Sequence, residues 1–297
     1  MRFTWLMMIF LCISVPGIVR AQAAFSGLVG TAPIELVLGY YEPESEAGGV
    51  YAYTKYHTPI ALSGTLKAGV LTLTEKDALG KPSATLTVPA FAVNHGALTG
   101  TWKNLATGRE LPLKLNQRFI MESGESVSWE KRELMQASSL PTIYFRLVTT
   151  KSAADTYPRV RGVKLLDKKT DRLLQEFSVN CQLLGLNNVD VDDYNFDGLA
   201  DFSVYEAGSA GPNTTSLYFL YNPTTKRYAK SSFSGTSLEF DHKKKHIYER
   251  SSSAAGSYVT TATYEVVRNR MVLVAKHCYV LDPERHKLVE RKLSACE

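Results

Sequence analysis

Apolar and polar residues alternate in short bursts along the first part of the chain. Residues 34–38, 50–54, 60–62, 70–74, 83–88 and 98–102 are rich in β-branched, aliphatic or aromatic side chains, and Gly, Pro or charged turns separate them. Period-two patterning broken roughly every eight to twelve residues predicts antiparallel strands arranged as a barrel or a sandwich. Helical periodicity is absent. Gly64 and Gly100 stand inside strand-like runs and mark bends or bulges.

The pattern changes at 116–139, a charged stretch read as a linker whose only candidate short helix is 129–134. A second β region follows. Its strand-like runs are 142–148, 160–166, 173–186, 202–205 and 217–221, then segments near Leu238 and Ile247, and finally 258–267, 271–281 and 288–293. Turn chemistry at 222–226, 268–269 and 282–286 joins neighbours into hairpins. The expected fold is all-β with two β domains, 24–115 and 140–297.

The first residues do not belong to that pattern. Arg2, an apolar run from Trp5 to Val15 and the small-residue site Ala21-Gln22-Ala23 read as a cleaved secretory signal over 1–23, which places the mature protein in the periplasm. Cys12 lies within the apolar run, without the small neighbours of a lipid-anchor cysteine. No later segment has the ~20 continuous apolar residues of a membrane-spanning helix. Loss of Arg2 and Arg20 lowers the formal net charge from +5 to +3, too balanced for a nucleic-acid partner. Three cysteines then remain, Cys181, Cys278 and Cys296, which allow three single disulfides. The shared final hairpin region favours Cys278 with Cys296, and the alternative is that all three stay reduced, with Cys181 buried as a small apolar residue.

Between two strand-like segments lies Asp190-Val-Asp-Asp-Tyr-Asn-Phe-Asp-Gly-Leu-Ala-Asp201. With Asp193 as the first position, Asp193, Asn195 and Asp197 alternate, Gly198 supplies the turn, Leu199 offers a carbonyl and Asp201 stands ninth. Hard cations take oxygen ligands at such alternate positions of a sharply turned loop, so the stretch is a candidate Ca²⁺ site. The twelfth position is Val204 in place of the Glu of a helix-loop-helix hand, which puts the loop in a β context. Six acidic side chains from Asp190 to Glu206 have no base among them in sequence, and their repulsion also calls for a cation. The competing reading is an Asx-type turn with solvated acids.

No nucleophile elbow, phosphate-cradling loop or zinc-protease helix is present, which argues against an enzyme. His242 and His246 bracket Lys243 to Lys245 and read as a solvated basic tip. Two small-residue polar loops, 208–215 and 250–258, are candidate partner surfaces, with Asn213, Arg250, Ser253 and Tyr258 as contact residues.

The acidic segment 193–201, the loop 208–213, the run Tyr218-Phe-Leu-Tyr-Asn-Pro-Thr-Thr-Lys-Arg-Tyr228 and the late patterns 251–258, Tyr264 and 271–274 resemble a family of Gram-negative periplasmic immunity proteins. These act against lysozyme-like effectors delivered by type IV secretion, and their fold is similar to periplasmic lysozyme inhibitors. The resemblance spans about 140–297. It implies a calcium-binding, inhibitor-like β-sandwich that blocks a lysozyme-like peptidoglycan hydrolase with loop residues. Lysozyme inhibitors often carry a Ser-Gly-x-x-Tyr loop, where this chain has Ser253-Ala-Ala-Gly-Ser-Tyr258. The alternative function is a calcium-stabilised envelope scaffold or glycan-binding module without inhibitory activity.

Overall fold

The structure, a computed structural model, describes residues 19–42, 46–77, 79–92, 95–121, 127–209 and 212–296. Strands β1 (Val19–Val29), β2 (Ala32–Glu42), β3 (Glu46–Tyr53), β4 (Ile60–Lys67), β5 (Val70–Lys76), β6 (Pro82–Val88), β7 (Ala97–Asn104) and β8 (Glu110–Ile120) form a closed antiparallel barrel. Closure occurs where β1 pairs on both sides, Phe25 lying opposite Leu36 of β2 and Gln117 of β8. Alternation along β2 sends Ile34, Leu36 and Leu38 into the barrel with Phe25, Tyr51 and Leu73. The two sequence glycines serve the curvature. A Cβ on Gly64 would lie 1.9 Å from the Thr72 carbonyl oxygen, and one on Gly100 would lie 2.2 Å from that of Thr87. Strand register continues through both, so they are bends and not bulges.

Val37 faces the other way, and with Ala24, Val50 and Ala52 it makes the outer wall of β1–β3 apolar. This wall is covered by a four-stranded sheet of β9 (Trp129–Ser139), β10 (Ile143–Lys151), β11 (Arg159–Asp167) and β12 (Leu173–Gln182). Strand β10 alternates between two partners. Arg146 pairs with Glu35 of the barrel at 2.6 Å and Tyr144 stacks on His57, while Phe145 meets Phe202 of the next layer at 5.1 Å.

That next layer comprises β13 (Val189–Asp192), β14 (Asp201–Gly208), β15 (Thr214–Asn222) and β16 (Arg227–Lys230). Apolar side chains stand on both faces. Phe202 and Phe219 pack toward β10 and β12, and Tyr218 and Leu220 pack with Phe233 and Ile247 on the opposite side. The last sheet is β17 (Glu239–Asp241), β18 (His246–Ser253), β19 (Tyr258–Val267), β20 (Arg270–Asp282) and β21 (Lys287–Arg291). Cys278 is bonded to Cys296, with a Cα separation of 5.9 Å, and Cys181 is free and buried.

The all-β expectation therefore holds with a barrel at its N-terminal side, but the segment between the expected domains differs. Strand β8 runs to Ile120, and 129–134 is the start of β9, not a helix. Its register explains why: Leu134 lies opposite Leu147 and Met135 opposite Arg146, so neighbours in the sheet override the local charge pattern. Residues 1–18 of the expected leader lie outside the described residues. The rest of it runs into β1, with Ala23 buried in the barrel. No helix among the described residues is long and apolar enough to cross a membrane.

Candidate functional site

The acidic stretch is a hairpin loop. Asp192 closes it against Asp201, and the chain reverses through left-handed positions at Phe196 (φ 62°) and Gly198 (φ 87°). Its carboxylates gather backbone N–H groups. Asp193 accepts from Asp197 at 3.0 Å and from Gly198 at 2.7 Å, and Asp197 accepts from Leu199 at 2.8 Å. The Asn195 carbonyl oxygen accepts from Asp197 at 3.2 Å, while its amide donates to the Asp197 carboxylate at 2.9 Å. Thus Asp193, Asn195, Asp197 and Leu199 are brought into one turn, with Leu199 bonded through its N–H.

Asp201 is the inner wall of this turn. It is 0% exposed, and its two oxygens accept the N–H groups of Tyr194 at 3.1 Å and of Tyr221, on β15, at 2.7 Å. Burial pushes its carboxyl up to about 6; the two N–H donors oppose that rise, and the charges of Asp197 and Asp193 add to it. The donor set is entirely oxygen, the chemistry a hard cation requires, and a cation beside Asp201 would relieve the cost of its buried charge. Among the described residues no three His, Cys, Asp or Glu side chains converge into a metal-binding group. A bound ion would therefore depend on Asn195 and backbone carbonyl oxygens as well as carboxylates.

The acids also have basic neighbours that the sequence hides. The turn between β17 and β18, expected to be a solvated tip, folds onto the loop. His242 Nε2 lies 3.0 Å from Asp192, and Lys245 Nζ lies 3.3 Å from the Phe196 carbonyl oxygen. Asn195 reaches Asn269 in the β19–β20 turn at 3.0 Å. Each partner is more than 45 residues away along the chain, so no local spacing announces it. The Lys245 ammonium against the loop and the His242 bond to Asp192 offset part of the repulsion among the acids. Tyr194, packed on Tyr218 and Phe240, anchors the loop to the layers beneath, and burial holds its hydroxyl well above its ordinary range.

The expected partner loops meet at one end of the last sheet. Ser253 and Tyr258 face each other at the end of the β18–β19 hairpin, with Arg250 further down β18, and all three are exposed. Between them Ala254, Ala255 and Gly256 have φ of 46°, 54° and 90°, three left-handed residues in succession. For alanine such a conformation costs on the order of 1 kcal/mol and persists only where its surroundings enforce it. Asn213 lies beside this tip and is bonded to it. Its amide donates to the Ser252 carbonyl oxygen at 2.7 Å and its oxygen accepts the Ser252 N–H at 2.9 Å, so it braces the tip from the side.

No family model matches the chain, and no curated protein matches it. Among solved structures, a Xanthomonas type IV secretion system related protein aligns at 13% identity over 75% of this chain and 99% of its own, with a TM-score of 0.28. Kuenenia stuttgartiensis hydrazine synthase aligns at 7% identity over 88% of this chain and 93% of its own, with a TM-score of 0.27. A Lactobacillus plantarum protein aligns at 11% identity over 93% of this chain and 95% of its own, with a TM-score of 0.24. Similarity this low transfers neither fold nor activity, and the functional reading rests on the residues.

Proposed function

We propose that the protein is a periplasmic immunity protein that binds and blocks a lysozyme-like peptidoglycan hydrolase. It is not itself an enzyme in this reading. The observation that carries it is the β18–β19 tip: Arg250, Ser253 and Tyr258 stand exposed around a left-handed Ala254-Ala255-Gly256 turn that Asn213 braces. A rigid tip loses little freedom on binding, and Tyr and Arg are favoured anchor residues at interfaces. A hydrolase cleft lined by catalytic carboxylates would accept a basic, hydroxyl-rich tip on electrostatic grounds.

In the same reading the two last sheets form the inhibitor-like sandwich, and the acidic loop inserted in it holds Ca²⁺ through Asp193, Asn195, Asp197, the Leu199 carbonyl and Asp201. The ion would act at a distance from the tip. It would fix the hairpin that leads through β14 to the 208–213 loop, whose Asn213 supports Ser252. The experiment is capture of lysozyme-like hydrolases by the mature protein, paired with a cell-wall lysis assay. Tyr258→Ala and Arg250→Glu are expected to lower binding without changing the melting temperature. Failure of the unaltered protein to bind any such hydrolase contradicts the reading.

A further inference from the structure

At the opposite end of β19 from the tip, about 30 Å away for a ten-residue strand, the β19–β20 turn faces the hairpin of β15 and β16 across a cleft of about 490 Å³. Three cations line it: Lys230 at the end of β16, and Arg268 and Arg270 at the turn. All three are exposed, and among the described residues none forms an ion pair or a side-chain hydrogen bond. Thr224, Ser231 and Ser232 also line the cleft, the Ser231 hydroxyl oxygen accepting the Phe233 N–H at 3.1 Å. The one acid at the rim, Asp197, is turned into its own loop, where it accepts from Leu199 and Asn195.

The backbone of the turn between Val267 and Arg270 is fixed in place. Arg268 and Asn269 both occupy left-handed positions, as a tight two-residue hairpin turn requires, and Asn269 is tied to Asn195 of the acidic loop. Two guanidinium groups and an ammonium around one cleft attract an anion, and the guanidinium fork matches a carboxylate. The hydroxyl-bearing residues of the same lining suit a ligand that carries hydroxyls of its own. A strand-like peptide is disfavoured, because β16 is the sheet edge and both backbone groups of Tyr228 are already bound by Gln175, at 2.8 and 3.1 Å.

We infer that this cleft is a binding site for a carboxylated saccharide, its acid groups held by Arg268, Arg270 and Lys230 and its hydroxyls by Thr224, Ser231 and Ser232. The site is separate from the hydrolase-binding tip and does not depend on it. Titration calorimetry of the mature protein with trigalacturonic acid, its methyl ester and inorganic phosphate tests the inference. The acid is expected to bind, and the ester and phosphate to bind at least about tenfold more weakly. The Arg268→Ala/Arg270→Ala double variant is expected to weaken acid binding by at least about tenfold, with melting temperature and hydrolase capture unchanged. No binding of the acid at millimolar concentration, equal binding of the ester or of phosphate, or a double variant that binds like the unaltered protein overturns it.

Discussion

Asp201 links the loop, the sheet and the ion chemistry in one side chain. Its carboxylate satisfies the N–H groups of Tyr194 and Tyr221, which burial would otherwise leave without acceptors. Asp201→Ala is expected to lower unfolding free energy by about 1–3 kcal/mol in urea titrations near neutral pH, since two stranded donors outweigh the relief of losing a buried charge. A variant as stable as the unaltered protein would show that these hydrogen bonds contribute nothing net. At Asn213, substitution by alanine removes two hydrogen bonds to Ser252, and about 1–2 kcal/mol is expected to be lost locally, read as faster hydrogen exchange at 252–257. The spacing of the acids made Asp201 legible as the ninth position of the loop, but not its burial. Its bond to Tyr221 was not legible, because β15 reaches it only through strand pairing. The same holds for His242 and Lys245, whose turn looked like free surface until two sheets stacked.

Among the elements, the acidic hairpin carries the calcium prediction. If the loop holds Ca²⁺, a hundredfold excess over Kd is expected to add about 2.7 kcal/mol, and Asp193→Ala/Asp197→Ala to abolish the increment. A melting temperature unmoved by either calcium or chelator would leave the loop as a turn held by its own N–H donors. The disulfide belongs to this scale as well, since Cys278 of β20 and Cys296 close the end of the chain onto the exposed β20–β21 ribbon. Replacing both by serine is expected to cost about 3 kcal/mol at most, seen as exchange confined to β20 and β21 if the ribbon opens alone. Short strands with regular breaks were readable because alternation is a local signal, and Cys278 with Cys296 was favoured because a hairpin brings near neighbours together. Strand β9 was not readable, since Glu130, Lys131 and Arg132 dilute its apolar positions and only its pairing with β10 fixes it as a strand.

The whole molecule is a barrel whose outer wall is riveted to the first of three stacked sheets. Glu35 of β2 takes Arg146 of β10 in two hydrogen bonds, at 2.6 and 2.8 Å, and Arg118 of β8 at 3.2 Å. Glu35→Ala strands the mostly buried Arg146 guanidinium and is expected to destabilise by about 3 kcal/mol, whereas Glu35→Leu/Arg146→Met is expected to recover most of that loss. Unfolding monitored separately in the barrel and the sheets would show whether the two parts lose their coupling. The central claim, however, is that the far end of this stack presents a rigid tip to a hydrolase. Its most direct test is the rate of cell-wall lysis by a lysozyme-like hydrolase at increasing amounts of the mature protein. Lysis should cease near one equivalent and persist with the Tyr258→Ala/Arg250→Glu variant; lysis undiminished by excess unaltered protein, for every such hydrolase tried, contradicts it.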